Sequence, residues 1–382
     1  MQRYLYKHIL KDLSNKMVFI TGPRQVGKTY LAKEIMNEFQ NPQYFNYDNI
    51  FDKKIIAEQS WKRNADLIVF DELHKMKNWK IYLKGVFDTR KNNEAILVTG
   101  SARLDTFRQT GESLAGRYHH LRLNPFSVKE ISESISAYNA IEAFHQFSGF
   151  PEPFLNSLNK DKIQAIEFSN RWRNQYYTDL VREDILEFGK LQEIRAIKNL
   201  LEMLRYKVGS PISYKGLAED LQISPTTVKK YIEILESLYI IFLIKPFHKN
   251  IARSILKEPK LYFYDSSYIV GDDGIKLENT VALHLLKHTQ YLYDVKGEAI
   301  SLNYVKTKEK KEVDFVIVKN GQPSDFIEVK LSRKTISPNL HYFLNRFENA
   351  NFIQLVHNLN NDQHKNGIDI LNASNWLMCL SA

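Results

Sequence analysis

Short apolar runs in the first third of the chain predict buried strands. Residues 17–21, 66–71 and 95–99 are rich in Val, Ile, Leu and Phe, and small or polar residues follow each run. Such runs are typical of strands that are covered on both faces. After the first run, a glycine-containing loop leads into residues 30–39, whose apolar positions have helical spacing. The pattern therefore predicts a strand, a loop and a helix in succession.

The pattern changes twice further along the chain. From residue 125 to about residue 191 the apolar positions have helical spacing, which predicts a helical segment. Its predicted buried stripe is Trp172, Tyr176, Tyr177, Leu180 and Ile185. Residues 196–245 fit three helices, and a short turn joins the last two, which predicts a helix-turn-helix followed by a wing. The last third begins with an amphipathic helix around residues 276–286 and continues as strands at 301–306, 311–319 and 323–330. The whole chain is thus expected to be an α/β protein.

The loop after the first strand has the sequence Gly-Pro-Arg-Gln-Val-Gly-Lys-Thr, which is a complete phosphate-binding loop. Its two glycines let the backbone turn tightly, so that its N–H groups face the phosphates. The lysine reaches the β- and γ-phosphate oxygens, and the threonine is a ligand of Mg²⁺. We therefore expect ATP and Mg²⁺ as cofactors. The expected nucleotide-binding residues are Gly22, Pro23, Arg24, Gln25, Val26, Gly27, Lys28 and Thr29.

Acidic and small polar residues at the ends of the next two strands are candidates for catalysis. Asp71 would hold the Mg²⁺ shell together with the loop threonine, and Glu72 would orient the attacking water. After the third strand, Ser101 or, as a second choice, Thr99 would sense the γ-phosphate; the alternative is that Thr-Gly-Ser only forms a turn. Arg117 is a candidate for an arginine that stabilises the transition state, either within one subunit or across a subunit interface. The alternative for Arg117 is a surface salt bridge.

Four short sequence segments outside the phosphate-binding loop are also informative. They are Phe-Asp-Glu-Leu-His-Lys at 70–75, Thr-Gly-Ser-Ala at 99–102, Leu-Ala-Gly-Arg at 114–117 and Leu-Asn-Pro-Phe-Ser at 123–127. With these strings the chain resembles a large prokaryotic family of AAA+ type ATPases, which pair an ATPase core with a C-terminal region of unknown function. The resemblance implies a parallel sheet in which the strand before Ser101 lies between the loop strand and the Asp71 strand. It also implies a helical lid over the nucleotide.

The predicted helix-turn-helix has features of a DNA-binding element. Ser224 would cap its second helix, with Pro225 at the first helical position. Lys229 and Lys230 lie on the outward face of that helix, where they would contact a major groove. The predicted inner face is Val228, Tyr231, Ile232, Leu235 and Leu238. Positive charge is also concentrated here, since residues 196–260 contain eleven Lys and Arg against six acidic residues. The alternative is a winged helix that serves only in packing.

Four charged residues of the last third occur in an informative order. Glu278 lies near the start of a predicted helix, Asp314 lies on a strand, and Glu328 and Lys330 follow on the next strand after a hairpin. This order resembles the PD-(D/E)xK nuclease fold, in which Asp314 and Glu328 would hold Mg²⁺ against the scissile phosphate while Lys330 polarises a water or stabilises negative charge. The alternatives are a charged rim on a half-exposed sheet, or an idle domain that retains the geometry for binding.

Cysteine and histidine usage argues against other kinds of site. The single cysteine, Cys379, excludes an intramolecular disulfide and a cysteine-rich zinc site. His284 and His288 are four positions apart on a predicted helix, but Leu285 stands where a metalloprotease would carry its glutamate. We therefore interpret both histidines as surface residues.

Composition and charge set the expectations for partners and location. The 382 residues are 43% hydrophobic and 25% charged, with a net charge of +9. This charge favours an anionic partner, and double-stranded DNA is the first candidate. The chain shows neither a signal-peptide pattern nor an apolar run long enough to span a membrane, so we expect a cytoplasmic protein without membrane contact.

Together these patterns predict four domains. They are an ATPase core at 1–127, a helical lid at 128–195, a winged helix at 196–254 and a nuclease-like domain at 255–382. The expected function is binding and hydrolysis of ATP by an enzyme that engages DNA, with nuclease activity left open. The alternative is an ATP-gated switch or scaffold that binds a protein partner and carries an idle nuclease-like domain. The chain could act alone or as an oligomer.

Overall fold

The fold is that of a computed structural model, which describes residues 1–91, 94–100, 114–180, 191–248, 258–332 and 335–382. The chain is divided into two units, Met1–Pro125 and Phe126–Ala382. Over the described ranges, no helix combines the length and the apolar character that a membrane crossing needs.

The first unit is built on a parallel sheet of five strands. Its elements are α1 (Tyr6–Leu13), β1 (Met17–Thr21), α2 (Lys28–Met36), β2 (Pro42–Asn46), α3 (Ile50–Glu58), β3 (Leu67–Asp71), α4 (Trp79–Thr89), β4 (Ala95–Thr99) and β5 (Tyr118–Arg122). The strand order is β2-β3-β4-β1-β5, and every neighbouring pair is parallel. All residues of β1, β3 and β4 are buried, as their apolar runs predict. The position of β4 between β1 and β3 confirms the expectation from the family resemblance.

The carboxyl ends of these strands meet at one edge of the sheet. The register pairs Ile20 with Thr99, Thr99 with Asp71, and Asp71 with Asn46. Because the strands are parallel, the residues that follow them leave the sheet on the same side. This edge therefore collects the phosphate-binding loop, Asp71 and Thr99.

Two glycines shape the phosphate-binding loop. Gly22 has φ +142°, and a Cβ atom built on it would overlap the backbone carbonyl oxygen of Leu123. Gly27 precedes α2 in the left-handed region, with φ 95° and ψ 24°. Both positions thus need a residue without a side chain, one for close backbone approach and one for its backbone conformation.

The second unit begins with helices. They are α5 (Val128–Ile131), α6 (Ala137–Gln146), α7 (Pro151–Leu158) and α8 (Lys162–Asp179). Trp172, Tyr176, Tyr177 and Leu180 are buried, as the predicted apolar stripe requires. The stripe also includes Ile185, which lies outside the described residues. The helical prediction for this segment is confirmed as far as the structure describes it.

Three more helices and a hairpin follow, namely α9 (Leu191–Leu204), α10 (Tyr214–Leu221), α11 (Pro225–Ser237) and the antiparallel strands β6 (Ile241–Pro246) and β7 (Lys260–Phe263). The Ser224 hydroxyl accepts from the Thr227 N–H at 3.1 Å and Pro225 starts α11, as predicted. The predicted inner face of α11 is buried at Val228, Tyr231, Ile232, Leu235 and Leu238.

The remaining elements complete a sheet of eight strands. They are α12 (Asp273–Lys296), β8 (Ile300–Lys306), β9 (Glu312–Lys319), β10 (Gln322–Lys330), α13 (Pro338–Leu344), β11 (Asn351–Val356), β12 (Gln363–Lys365), β13 (Ile368–Asn372) and α14 (Ala373–Met378). The strand order is β12-β13-β11-β10-β9-β8-β6-β7. The hairpin after α11 therefore shares one sheet with the C-terminal strands, and the predicted boundary at 254/255 falls between two strands that pair with each other.

The interpretation of His284 as a surface residue is wrong. The side chain is buried in α12, where Nε2 accepts from the Val128 N–H at 3.0 Å and Nδ1 lies 2.7 Å from the Thr280 carbonyl oxygen. Burial lowers the pKa of His284 to about 4, so the ring is neutral at physiological pH. His288 is half-buried, and its Nδ1 accepts from the Ser381 N–H at 3.1 Å.

We expect Gly22→Ala to destabilise the first unit by about 1–3 kcal/mol, because the new methyl group overlaps the Leu123 carbonyl. Gly85→Ala is the matched control, since Gly85 lies within α4 with nothing within 4 Å of its would-be Cβ, and this change should stabilise by about 0.5–1 kcal/mol. Urea unfolding followed by tryptophan fluorescence measures both. Equal midpoints for Gly22→Ala and the wild type would contradict the prediction.

Candidate functional site

The phosphate-binding loop lies between β1 and the N-terminus of α2, so helix N–H groups point toward the loop. The Lys28 side chain folds back over the loop, where Nζ donates to the carbonyl oxygens of Gly22 at 2.9 Å and Pro23 at 2.6 Å. Its ammonium is thus held within the loop that would surround phosphates. The predicted loop residues are contiguous and have the backbone form that their role requires.

Arg3 supports this loop and was not found by sequence reasoning. Its side chain is buried, and it donates to the carbonyl oxygen of Val26 at 2.8 Å and to that of Asn124. One guanidinium therefore joins the loop to the chain that follows β5. No motif marks Arg3, since its partners are backbone atoms 23 and 121 positions away.

Asp71 is the centre of a hydrogen-bond network at the sheet edge. Its Oδ2 accepts from the Thr29 hydroxyl at 2.9 Å and from the Tyr44 hydroxyl at 2.6 Å. Its Oδ1 accepts from the Thr99 hydroxyl at 2.5 Å. The structure thus brings together Thr29 and Asp71, the two predicted Mg²⁺ ligands, and adds Thr99. A hydroxyl beside a carboxylate is a donor set of the kind that Mg²⁺ uses with phosphate oxygens.

Tyr44 was missed, and Ser101 lies outside the described residues. Tyr44 stands on β2, where no motif distinguishes it from other strand residues, and only the pairing of β2 with β3 brings it to Asp71. Burial and the hydrogen bond to Asp71 raise the pKa of Tyr44 well above its usual value, so the hydroxyl remains a donor. Thr99, the second choice as sensor, contacts Asp71 directly.

Glu72 follows β3 in the left-handed region, with φ 56°. Its carboxylate lies 3.7 Å from the Lys75 ammonium and 3.5 Å from the His74 ring, and the side chain is 25% exposed. Burial raises the pKa of Glu72, with Asp71 adding to the effect and Lys28 and Lys75 opposing it. A partly exposed carboxylate with raised basicity next to Asp71 suits a residue that orients water.

Arg117 does not lie at this edge. Its guanidinium makes two hydrogen bonds with Asp88, at 2.8 and 2.9 Å, and its carbonyl oxygen accepts from the Met17 N–H at the start of β1. The phosphate-binding loop follows the other end of β1, about 16 Å away for five residues at ~3.3 Å each. A contact of Arg117 with γ-phosphate in the same subunit is therefore not made, and the salt bridge expected as the alternative is present.

The outward face of α11 carries the two predicted DNA-contacting lysines. The side chains of Lys229 and Lys230 are 61% and 53% exposed. Each lies near a carboxylate, with Lys229 at 3.9 Å from Glu233 on the same helix and Lys230 at 3.7 Å from Glu193 on α9. Exposed pairs of this kind are weak and can exchange for phosphate.

Glu278, Asp314, Glu328 and Lys330 form what we call the acidic centre. The register of β9 and β10 pairs Phe315 with Ile327, so the next positions, Asp314 and Glu328, are opposite each other. The Asp314 carboxylate accepts from the Val329 N–H at 3.0 Å, and the Lys330 ammonium donates to Glu328 at 2.8 Å. The four residues predicted from the sequence thus come together from α12, β9 and β10.

Sequence reasoning missed a second lysine in the acidic centre. Lys260, the first residue of β7, has a side chain only 2% exposed, and its Nζ lies 2.7 Å from Glu312 and 3.7 Å from Glu278. It also lies 3.6 Å from Asp314. Tyr262, two residues further on the same strand, donates to Glu278 at 2.8 Å. No local pattern signals these contacts, because β7 is far from β9 in the sequence.

Burial and mutual repulsion raise the pKa values of two carboxylates in the acidic centre. Burial, with Asp314 as the next cause, raises the pKa of both Glu278 and Glu328 to about 7. Glu328 Oε2 is buried and accepts no hydrogen bond from any described residue. The two glutamates therefore take up protons more readily than exposed carboxylates do.

The carboxylates of the acidic centre are the groups that could bind a metal ion there. Within the described ranges, no group of three or more His, Cys, Asp or Glu side chains is spaced to hold a metal ion. Asp314 and Glu328 still offer a pair of carboxylates, and Mg²⁺ is often bound by one or two carboxylates with waters and phosphate oxygens. The bare Oε2 of Glu328 is consistent with such a ligand.

Comparison with protein families divides the chain into three matched regions. Residues 14–132 match the AAA domain, residues 138–271 match a domain of unknown function (DUF8612), and residues 273–376 match another (DUF4143). The first region is therefore an AAA-type P-loop domain that binds ATP, in agreement with its strand order and its phosphate-binding loop.

Similar proteins are known from Mycobacterium tuberculosis and Methanocaldococcus jannaschii. The uncharacterized protein Rv2008c of Mycobacterium tuberculosis is 25% identical over 330 residues, covering 84% of this chain and 72% of the relative. The uncharacterized protein MJ1544 of Methanocaldococcus jannaschii is 27% identical over 355 residues, covering 84% and 76%. Both relatives are uncharacterized, so the similarity assigns no activity to this chain.

Solved structures give weaker likenesses. The walker-type ATPase PABY2304 of Pyrococcus abyssi has 15% identity and a TM-score of 0.42, over 69% of this chain and 93% of that chain. A RuvB variant of Thermotoga maritima has 18% identity and a TM-score of 0.31, over 62% and 88%. Neither TM-score is high enough to indicate a shared overall fold.

We expect Lys28→Ala to lower ATP turnover by about 100-fold or more, the loss that removal of one charge-stabilising donor causes. The unfolding midpoint should change little, because Lys28 is replaced by a good helix former at the start of α2. Lys54→Ala, at an exposed position of α3, is the control and should keep full turnover. Phosphate release measures turnover, and retained activity in Lys28→Ala would contradict the assignment.

Proposed function

We propose that this protein hydrolyses ATP and uses the reaction to control its engagement of DNA. The observation that carries the first half is the contact of Thr29 with Asp71 beside the phosphate-binding loop, at 2.9 Å. A P-loop threonine and a strand-end aspartate are the groups that position Mg²⁺ in phosphoryl transfer. Their contact supports a site prepared for that ion before nucleotide arrives.

The residues of the site have separate roles in this proposal. Lys28 exchanges its two loop carbonyls for β- and γ-phosphate oxygens, while backbone N–H groups of the loop and α2 contact the phosphates. Thr29 and Asp71 would hold Mg²⁺, which would supply charge neutralisation at the phosphate oxygens. Glu72 orients the attacking water. Thr99 donates a hydrogen bond to Asp71 and thereby fixes that carboxylate at the edge of the sheet. Ser101 is retained as a candidate sensor of the γ-phosphate.

Arg117 has a role only between subunits in this proposal. Its salt bridge with Asp88 leaves the guanidinium at the surface, with 27% of the side chain exposed. A neighbouring subunit that presents its nucleotide to this surface would receive Arg117 as a transition-state cation, at the cost of the bond to Asp88. The proposal thus links catalysis by Arg117 to the formation of an oligomer.

DNA engagement is supported by the arrangement of α10, α11 and the hairpin β6–β7. Two helices joined by a short turn and followed by a hairpin form the layout of a winged helix, whose second helix enters a major groove. That helix is α11, which has an apolar buried face and exposes Lys229 and Lys230. We assign these two lysines to phosphate contacts, which position a protein on DNA without reading sequence.

The acidic centre is proposed to cut DNA with the help of Mg²⁺. Asp314 and Glu328 would hold the ion, which supplies a polarised water and charge stabilisation when bound. Lys330 stays within 2.8 Å of Glu328 and would stabilise negative charge on the scissile phosphate. Glu278 borders the centre from α12. The support for this proposal is the meeting of all four residues and the bare Oε2 of Glu328.

One observation favours a second function. Lysines on α11 and in the acidic centre already contact carboxylates, as Lys229 does with Glu233 and Lys260 with Glu312. Such internal neutralisation would suit an ATP-gated switch that binds a protein partner and carries an idle nuclease-like domain. Salt separates the two functions, because a protein interface with an apolar core responds weakly to salt.

We expect DNA binding to weaken steeply as the salt concentration rises. The double variant Lys229→Ala/Lys230→Ala should reduce the slope of log K, the DNA-binding constant, against log salt concentration by about 2, one unit for each phosphate contact. Fluorescence anisotropy with a labelled duplex measures the slope. Lys53→Ala/Lys54→Ala, which removes an equal charge from exposed positions of α3, is the control. An unchanged slope in the α11 variant, or binding insensitive to salt, would favour the protein-binding switch.

We expect the purified protein to nick supercoiled plasmid with Mg²⁺ or Mn²⁺, and Glu328→Ala to abolish the nicking because it removes a metal ligand. Gel analysis with and without ATP measures the reaction. Glu298→Ala, at an exposed position after α12, is the control and should keep activity. If no condition gives cleavage, the nuclease proposal fails and the acidic centre is a binding module.

A further inference from the structure

Tyr44 connects the outermost strand of the first sheet with the edge that carries the phosphate-binding loop. Strands β2 and β3 pair in parallel, and Tyr44 lies opposite Val69, two positions before Asp71. Residues two positions apart on a strand point to the same face and are about 6.6 Å apart along it. The long tyrosine side chain covers this distance, and its hydroxyl donates to Asp71 Oδ2 at 2.6 Å.

The ring of Tyr44 also contacts the helix of the phosphate-binding loop. Lys33 Nζ lies 5.4 Å from the centre of this ring, which is within the range of a cation–π contact. Lys33 and Thr29 are four positions apart on α2 and therefore share one face of the helix. Thr29 donates to the same Asp71 oxygen as Tyr44, at 2.9 Å. Tyr44 thus contacts both the helix that follows the loop and the strand that ends in Asp71.

The three donors to the Asp71 carboxylate differ in what else they would do. In the proposed function Thr29 is itself a ligand of Mg²⁺, and Thr99, which donates to Oδ1 at 2.5 Å, lies beside the expected sensor of the γ-phosphate. Tyr44 belongs to neither the loop nor the sensor strand. The last torsion angle of an aspartate is only weakly restricted by itself, so donors on both oxygens decide the orientation of its carboxylate. Tyr44 supplies one of these donors independently of the nucleotide.

We propose that Tyr44 is a positioning residue for Mg²⁺, because its hydroxyl fixes the Asp71 carboxylate and thereby sets how strongly the metal ion and the nucleotide strengthen each other's binding. This inference deepens the proposed function and rests on its ATP site. Partners that orient a metal ligand typically change metal affinity by roughly 10–100-fold when they are removed. Loss of the Tyr44 hydroxyl should therefore weaken the metal-dependent part of nucleotide binding and leave the metal-free part unchanged.

A ratio of dissociation constants isolates this metal-dependent part. Binding of the metal ion and of the nucleotide is coupled, and the coupling is the same in both directions. The dissociation constant of the nucleotide without Mg²⁺, divided by the constant with Mg²⁺, therefore measures what the protein adds to metal binding in the complex. A general loss of structure would weaken nucleotide binding under both conditions and would leave this ratio unchanged.

The variant that tests the proposal is Tyr44→Phe, which removes the hydroxyl and keeps the ring beside Lys33. Fluorescence anisotropy of a labelled, non-hydrolysable ATP analogue gives its dissociation constant for the full chain, once with excess EDTA and once with excess Mg²⁺. We expect the constant in EDTA to equal that of the wild type and the ratio to fall by about tenfold. The Mg²⁺ concentration that gives half-maximal ATP turnover should rise by a similar factor.

Tyr82→Phe is the matched control. Tyr82 is a half-buried tyrosine of the same unit, on α4, and its hydroxyl donates to the Ile56 carbonyl oxygen at 2.6 Å. Both variants thus lose one hydroxyl hydrogen bond of equal length, but only Tyr44→Phe should change the ratio. A wild-type ratio in Tyr44→Phe would overturn the proposal, and so would an equal fall in both variants. A midpoint of urea unfolding far below that of Tyr82→Phe would show that the Tyr44 hydroxyl serves stability, which also contradicts the proposal.

Asp71→Asn tests whether Tyr44 acts through Asp71. In this background Tyr44→Phe should leave the ratio unchanged, because no carboxylate remains to be positioned. A further tenfold fall would mean that Tyr44 acts by another route, and the proposal would then be wrong.

The wild type separates this inference from the proposed function. If the wild type binds the analogue equally well with EDTA and with Mg²⁺ and does not hydrolyse ATP, the Mg²⁺ site of the proposed function fails. If Mg²⁺ strengthens binding in the wild type and does so equally in Tyr44→Phe, the Mg²⁺ site stands and only the role of Tyr44 fails.

Discussion

Three hydroxyl groups donate hydrogen bonds to the Asp71 carboxylate, and these bonds connect the strand ends with the helix that follows the phosphate-binding loop. Asp71 accepts from Thr29, Tyr44 and Thr99, which belong to α2, β2 and β4. A buried carboxylate is costly unless its oxygens accept hydrogen bonds, so these contacts fix the helix of the phosphate-binding loop against the strand ends. Only the order β2-β3-β4-β1 brings Tyr44 and Thr99 to the two sides of Asp71. The ATP site therefore depends on the strand order as much as on its sequence motif.

Buried charge has a similar organising role in the second unit. The acidic centre concentrates carboxylates on neighbouring strands, and Lys260 offsets part of their charge from β7. Because β7 belongs to the hairpin that follows α11, the eight-stranded sheet connects the proposed DNA-binding helix with the proposed nuclease centre. The proposed DNA-binding helix and the proposed nuclease centre are therefore linked through one sheet, and a change in the β6–β7 hairpin would affect both.

Arg117 and His284 show where a local pattern is insufficient. The Leu-Ala-Gly-Arg string suggests a catalytic arginine, but the string precedes β5, and parallel pairing with β1 puts it at the edge opposite the phosphate-binding loop. Leu285 stands where a metalloprotease would carry its glutamate, which favours a surface position for His284, yet its ring accepts from the Val128 N–H in the interior. In both cases the deciding contact involves a segment that is distant in the sequence.

The sequence by itself determined the features that depend on neighbouring residues. These are the phosphate-binding loop, the strand that ends in Asp71, the capped helix α11 and the same-face placement of Glu328 and Lys330, because backbone conformation and side-chain periodicity are local properties. Tertiary structure alone decided that Arg3 supports the loop, that Tyr44 contacts Asp71 and that Lys260 enters the acidic centre. Each of these charged or polar groups is buried at least in part, and burial requires a partner that only the arrangement of distant strands and helices can supply.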